Sequence, residues 1–195
     1  MMNKQLALAS MMGAVVLLAA CGGGDGGGGS SATSSSTGST SQTTSSSTAL
    51  APCTSGYKRL QITKSSISNA NINLTTDDGI ATLTIKTPAQ GITSDLTVCL
   101  GKMDPSSAGA TGDYIYGIEV PQGDLHSMTS STLTLNFTTS IVPNPNPPVI
   151  ELADHSGGPT VYKPLVQGAS YVNPPNYSLS VSAQDPGIYV VRLRK

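Results

Sequence analysis

Apolar residues fall at alternate positions in one segment of this chain after another, and that spacing limits what it can fold into. In STLTLNFTT (131–139), Leu133, Leu135 and Phe137 project to one side, while Thr132, Thr134, Asn136 and Thr138 project to the other. NYSLSVSA (176–183) repeats the arrangement, with Tyr177, Leu179, Val181 and Ala183 alternating with Ser178, Ser180 and Ser182. A period of two marks a strand with one face in a core and the other in water. The same reading turns Leu83 and Ile85, then Leu96, Val98 and Leu100, then Tyr114, Tyr116, Ile118 and Val120 inward. Leu60 with Ile62, and Ile72 with Leu74, mark two further strands.

Turn signals separate these runs: Asp77-Asp78-Gly79, Pro88 to Gly91, Gly109 to Asp113, Pro121 to Asp124, and Asp185-Pro186-Gly187. Short strands joined by Gly/Pro turns, with no helical run of comparable length after the first twenty residues, predict an all-β protein, an antiparallel β-sandwich. Residues 50–195 have the size of one domain. There is no Trp and one Phe, so the core is expected to rest on Leu, Ile, Val and Tyr. Charged residues make up 11%, about half the usual quarter, which leaves Ser, Thr and Asn to cover the solvent faces. Pro143, Pro145, Pro147 and Pro148 forbid a central strand, so this segment either links two subdomains or crosses between sheets.

The closing stretch SAQDPGIYVVRLRK carries a resemblance. Asp185, Gly187 and Tyr189 resemble the D-x-G-x-Y tyrosine corner of immunoglobulin-like domains, with Val191 where those domains have a cysteine and no further strand after it. The same residues resemble the loose G-x-Y-x-V of closing strands in bacterial surface sandwich modules. Both resemblances imply a sandwich and neither implies an activity. Arg192, Arg194 and Lys195 are expected to keep an edge strand soluble.

At the other end, Lys4 precedes an apolar run from Leu6 to Ala20 that is broken only by Ser10 and Gly13. It is shorter than the roughly 20 apolar residues a bilayer span needs, and reads as an export signal over residues 1–20. Leu18-Ala19-Ala20-Cys21 resembles the lipobox of bacterial lipoproteins. That resemblance implies cleavage before Cys21, a diacylglyceryl group on its thiol and, in many Gram-negative species, an acylated α-amino group such as a palmitate. The membrane is then a partner through the lipid anchor. Enterobacterial lipoproteins kept in the inner membrane carry Asp after the cysteine; Gly22 here implies sorting to the outer membrane of the cell envelope. Residues 21–49 hold the lipidated Cys and a Gly/Ser/Thr tether with almost nothing apolar to bury, expected to be disordered. As a flexible coil its free part has an r.m.s. span of roughly 30 Å and a taut limit of about 90 Å.

With Cys21 reserved for lipid, Cys53 and Cys99 remain, and export to an oxidising compartment makes a disulfide between them the expectation. Titratable candidates are few. Asp154-His155-Ser156 holds the residue types of an acyl-transfer site, but neighbours on an extended chain diverge and no G-x-S-x-G accompanies them. The stretch reads as a polar turn. Glu151, Asp154, His155 and His126 are ligand types for zinc or copper without a recognisable ligand spacing. No catalytic residue, metal ligand or cofactor is assigned. A net charge of −1 and no basic patch disfavour nucleic acid. Tyr114, Tyr116, Tyr162, Tyr171 and Tyr177 either supply flat faces for a sugar or peptide or replace Phe and Trp in the core. The leading expectation is a membrane-anchored, non-enzymatic binding or scaffolding domain with an envelope protein or polysaccharide partner. The alternatives are a secreted hydrolase or metal-handling protein on the same fold, and a subunit of a surface assembly.

Overall fold

The structure, a computed structural model, describes residues 52–64 and 68–195. Cys21, the expected export signal and the expected Gly/Ser/Thr tether lie outside the described residues. Eleven strands follow one another: β1 (Lys58–Ile62), β2 (Asn71–Thr75), β3 (Ala81–Lys86), β4 (Leu96–Lys102), β5 (Tyr114–Gln122), β6 (Ser130–Thr138), β7 (Ile150–Asp154), β8 (Val161–Pro164), β9 (Tyr171–Asn173), β10 (Asn176–Ser182) and β11 (Gly187–Val191). Among the described residues the helical elements are one turn, α1 (Pro105–Ala108), and a 3₁₀ turn at Leu125–Ser127. All strand pairs are antiparallel. They form sheet A, in the order β1-β4-β5-β11-β7-β8, and sheet B, in the order β2-β3-β6-β10-β9.

The inner faces of the two sheets share one core, so the molecule is a β-sandwich. Leu83, Leu133, Leu135 and Val181 of sheet B and Val98, Leu100, Tyr116 and Val191 of sheet A have no measurable exposure and belong to the same apolar cluster. Each buried Leu or Val contributes about 1.5–3 kcal/mol through water released from its surface. The alternation expected from the sequence is the alternation observed: β3 and β6 bury every second side chain along their length. The Pro-rich segment 139–149 carries the chain from β6 in sheet B to β7 in sheet A, and the Asn144 amide donates to the Leu193 carbonyl at 2.7 Å on the way.

Two sequence expectations are corrected. The turn expected to begin at Pro121 begins later, because β5 runs through Pro121 to Gln122. A register shift between Thr97 and Cys99 puts an extra β5 residue there, and at a bulge the missing proline N–H costs no ladder bond. Nor is the last strand an edge. β11 lies between β5 and β7, and Arg192 and Lys195 reach the carboxylate of Glu151, which is 1% exposed. The Tyr189 hydroxyl donates to the Asp185 carbonyl at 2.6 Å, which ties the start of β11 to the turn before it.

Sheet A is covered on its outer side as well. The segment 52–57 is fastened across β4 and β5 by the Cys53–Cys99 disulfide and by Thr54, whose hydroxyl and amide donate to Glu119 at 2.6 and 3.1 Å. The Tyr57 ring lies over Gly101 and Gly117, which are register partners; a Cβ on Gly117 would sit 1.9 Å from the Tyr57 hydroxyl. This cover explains why β4 is buried on both faces from Leu96 to Gly101. Farther along, Ala108 and Ala110 pack on Ile115, Ala153 and Val190. On sheet B, by contrast, the outward residues of β2, β3 and β6 are Thr, Asn, Ser130 and Lys86, all exposed or half-buried.

Candidate binding cleft

The register of sheet B brings polar side chains from three strands into rows on its outer face. Asn136 of β6 pairs with Ser178 of β10, which pairs with Tyr171 of β9. The next row is Thr138, Asn176 and Asn173. Neighbouring strands lie about 4.8 Å apart, and same-face residues along a strand about 6.8 Å apart, so the two rows make a floor of about 10 Å across the strands and about 7 Å along them.

Why a cleft opens here follows from strand lengths. β3 begins at Ala81, opposite Leu135, so the end of β6 extends past its neighbour. Only the Ile80 carbonyl accepts there, from the Asn136 amide at 2.9 Å. The gap is bounded by Ile80 and Tyr114 on one side and Tyr171 on the other, and encloses about 400 Å³, within the range of small-ligand sites. Beneath the floor Phe137 and Tyr177 stack at 5.4 Å, and the Tyr114 ring at the side of the gap has its centroid 4.3 Å from that of Phe137. This aromatic file closes the end of the core and holds the floor in place. A second concavity of about 370 Å³, bounded by Ile141, Val142, Pro174 and Pro175, meets the first at Tyr177.

The chemistry of the cleft is neutral, since its lining contains no Asp, Glu, Lys, Arg or His. Thr138 donates to the Asn176 side-chain oxygen at 2.8 Å, which ties that carboxamide to the neighbouring strand. Tyr171 is 59% exposed, a large aromatic ring left in solvent. Burial, with help from the charge of Asp113, pushes the Tyr114 hydroxyl above its usual pKa, so it stays a neutral donor across the physiological range.

The tyrosines singled out in the sequence therefore divide. Tyr114, Tyr171 and Tyr177 line the cleft. Tyr116 is fully buried, with its hydroxyl donating to Asp78 at 2.8 Å, and Tyr162 lies under the Arg192 guanidinium, 3.9 Å from its ring centre. The remaining candidates have separate partners. His126 Nε2 meets Asp185 at 2.9 Å. His155 Nδ1 meets the Thr160 hydroxyl at 3.2 Å, and that hydroxyl donates to the Gly109 carbonyl. Hydrogen bonds from Lys163 and from Ser156 hold the Asp154 carboxyl well below the usual carboxylate range. Among the described residues, no three His, Cys, Asp or Glu side chains come together as a metal-holding group.

Asn136, Thr138 and Ser178 were legible in the sequence as outward polar residues and no more. Their grouping with Tyr171 depends on strand register.

No family model, curated protein or solved structure matches this chain.

Proposed function

We propose that this chain is a lipid-anchored binding protein of the bacterial cell envelope. Cys21 begins the mature chain and carries the lipid, residues 22–49 tether the domain, and the sandwich presents a non-enzymatic binding site to an envelope partner. The lipobox-like Leu18-Ala19-Ala20-Cys21 and its Gly22 support an outer-membrane address. The Cys53–Cys99 disulfide fits the oxidising compartment that such an address implies.

What carries the binding reading is the cleft on sheet B, a neutral floor of amides and hydroxyls walled by Tyr171 and Tyr114 on a rigid scaffold. A rigid sheet fixes such groups more firmly than a loop would. The test of the anchor is direct. Cys21→Ser is expected to move the protein from the membrane to the soluble fraction and to end incorporation of labelled palmitate. Retention of Cys21→Ser in membranes after removal of the signal would refute the assignment.

A further inference from the structure

We infer that the sheet B cleft binds a neutral saccharide chain, an inference that rests on the binding reading above and specifies its ligand class. A sugar ring offers two kinds of surface: an apolar face of C–H groups, and a rim of hydroxyls that both donate and accept. The cleft offers the complement of each.

Tyr171 supplies the flat aromatic face, the most exposed of the aromatic side chains against the cleft. It stands on the outer side of β9 in the same cross-strand row as Ser178 and Asn136. Asn136 and Ser178 make no side-chain hydrogen bond among the described residues, so a carboxamide and a hydroxyl stand open beside the ring. Asn176 is different: the Thr138 hydroxyl donates to its oxygen at 2.8 Å, and its Nδ2 makes no hydrogen bond among the described residues. Groups that both donate and accept thus stand at the spacing of the sheet, and each is neutral.

Neutrality selects the ligand further. An anionic polymer would lose hydration on entering and meet no cation there to compensate, since the lining carries no charged side chain. A phosphate or a carboxylate is disfavoured for the same reason. A second concavity, with Pro174 and Pro175 on its wall, shares Tyr177 with the cleft. The site therefore fits a chain of sugars better than a monosaccharide.

The test uses the full-length lipidated protein in detergent. Saturation-transfer NMR is recorded against cellohexaose, maltohexaose and chitohexaose, with alginate as the anionic control. The inference expects saturation of the ring protons of at least one neutral hexasaccharide, little with alginate, and a weakening of affinity of about tenfold or more in Tyr171→Ala and in Asn136→Ala. Both side chains are exposed, so the variants should fold; matching circular dichroism and melting curves check that they do. Binding that survives both substitutions, or a preference for alginate, overturns the inference. Capture of a protein partner that depends on Tyr171, with no hexasaccharide bound, overturns the saccharide class and leaves the binding role intact. Absence of both overturns the two together.

Discussion

The carboxylate of Glu151 is gripped by the guanidinium of Arg192 through two hydrogen bonds, Nε at 2.8 Å and Nη2 at 3.1 Å. Glu151 sits in β7 and Arg192 just past β11, so the pair ties neighbouring strands on the outer side of sheet A, and Lys195 adds a third contact at 2.8 Å. Removing one partner of a buried pair strands the other, whereas replacing both by apolar groups is often neutral. With Lys195 left as the one cation on Glu151, Arg192→Ala is expected to cost about 3 kcal/mol in urea unfolding, the low end for a broken buried pair, and the double variant Glu151→Leu/Arg192→Met far less than that. Equal losses in the two would mean that packing, not charge, accounts for the effect.

Acid should weaken the fold through the same residue. Burial pushes the Glu151 carboxyl up, but the hydrogen bonds and charges of Arg192 and Lys195 outweigh it, and the pKa lies below the usual value of 4.5. Asp78 behaves alike: burial raises it, while hydrogen bonds from Thr76, Ile80 and Tyr116 and the charge of Lys102 bring it below normal. A carboxyl depressed in the folded state adds stability above its unfolded pKa and loses it as pH falls through the folded pKa. The melting temperature should hold steady from neutral pH down to about pH 5 and then fall. In Glu151→Gln the protein should start less stable and show a shallower decline, measured by thermal melts from pH 7 to pH 2.

The Cys53–Cys99 bond closes a loop of 46 residues and pins the segment 52–57 to sheet A. In the chain-entropy treatment such a closure contributes about 4 kcal/mol. Cys53→Ala/Cys99→Ala should lower the unfolding free energy by that order in urea, without changing the circular dichroism at low denaturant.

Gly117 is required by its neighbour rather than by its own backbone. A methyl group there would meet the Tyr57 hydroxyl at 1.9 Å and the Met103 sulfur at 2.9 Å. Gly117→Ala is expected to cost about 1–3 kcal/mol, the usual range for overpacking. With Tyr57→Ala already in place the added cost should largely vanish, and a double-mutant cycle in urea measures the coupling. Simple additivity would mean that the Tyr57 ring does not set the constraint.

The strands that the sequence made legible are those with one face in the core. Leu133, Leu135 and Phe137 alternate with polar residues because burial on one side imposes a period of two. β8 and β9 lack that imprint: β9 is exposed throughout and β8 nearly so, and neither shows alternation. The cysteine pair was legible because elimination left only Cys53 and Cys99. Glu151 was not legible as the partner of Arg192, since 41 residues separate them and charge pairing across a sheet leaves no local pattern. The cleft is hidden for the same reason. Thr138 and Asn176 come from strands 38 residues apart, and Tyr171 joins them through the short β9, so only register unites the site.

The central claim is that an envelope component occupies the sheet B cleft of a membrane-anchored domain. The most direct measurement is crosslinking in intact envelopes followed by recovery of the protein and analysis of both the protein and the glycan that accompany it, run in parallel on the wild type and on Tyr171→Ala. The account predicts one dominant component with the wild type and its loss from Tyr171→Ala at equal expression and equal membrane association. The same component at the same yield from both, or nothing bound to either, would contradict it.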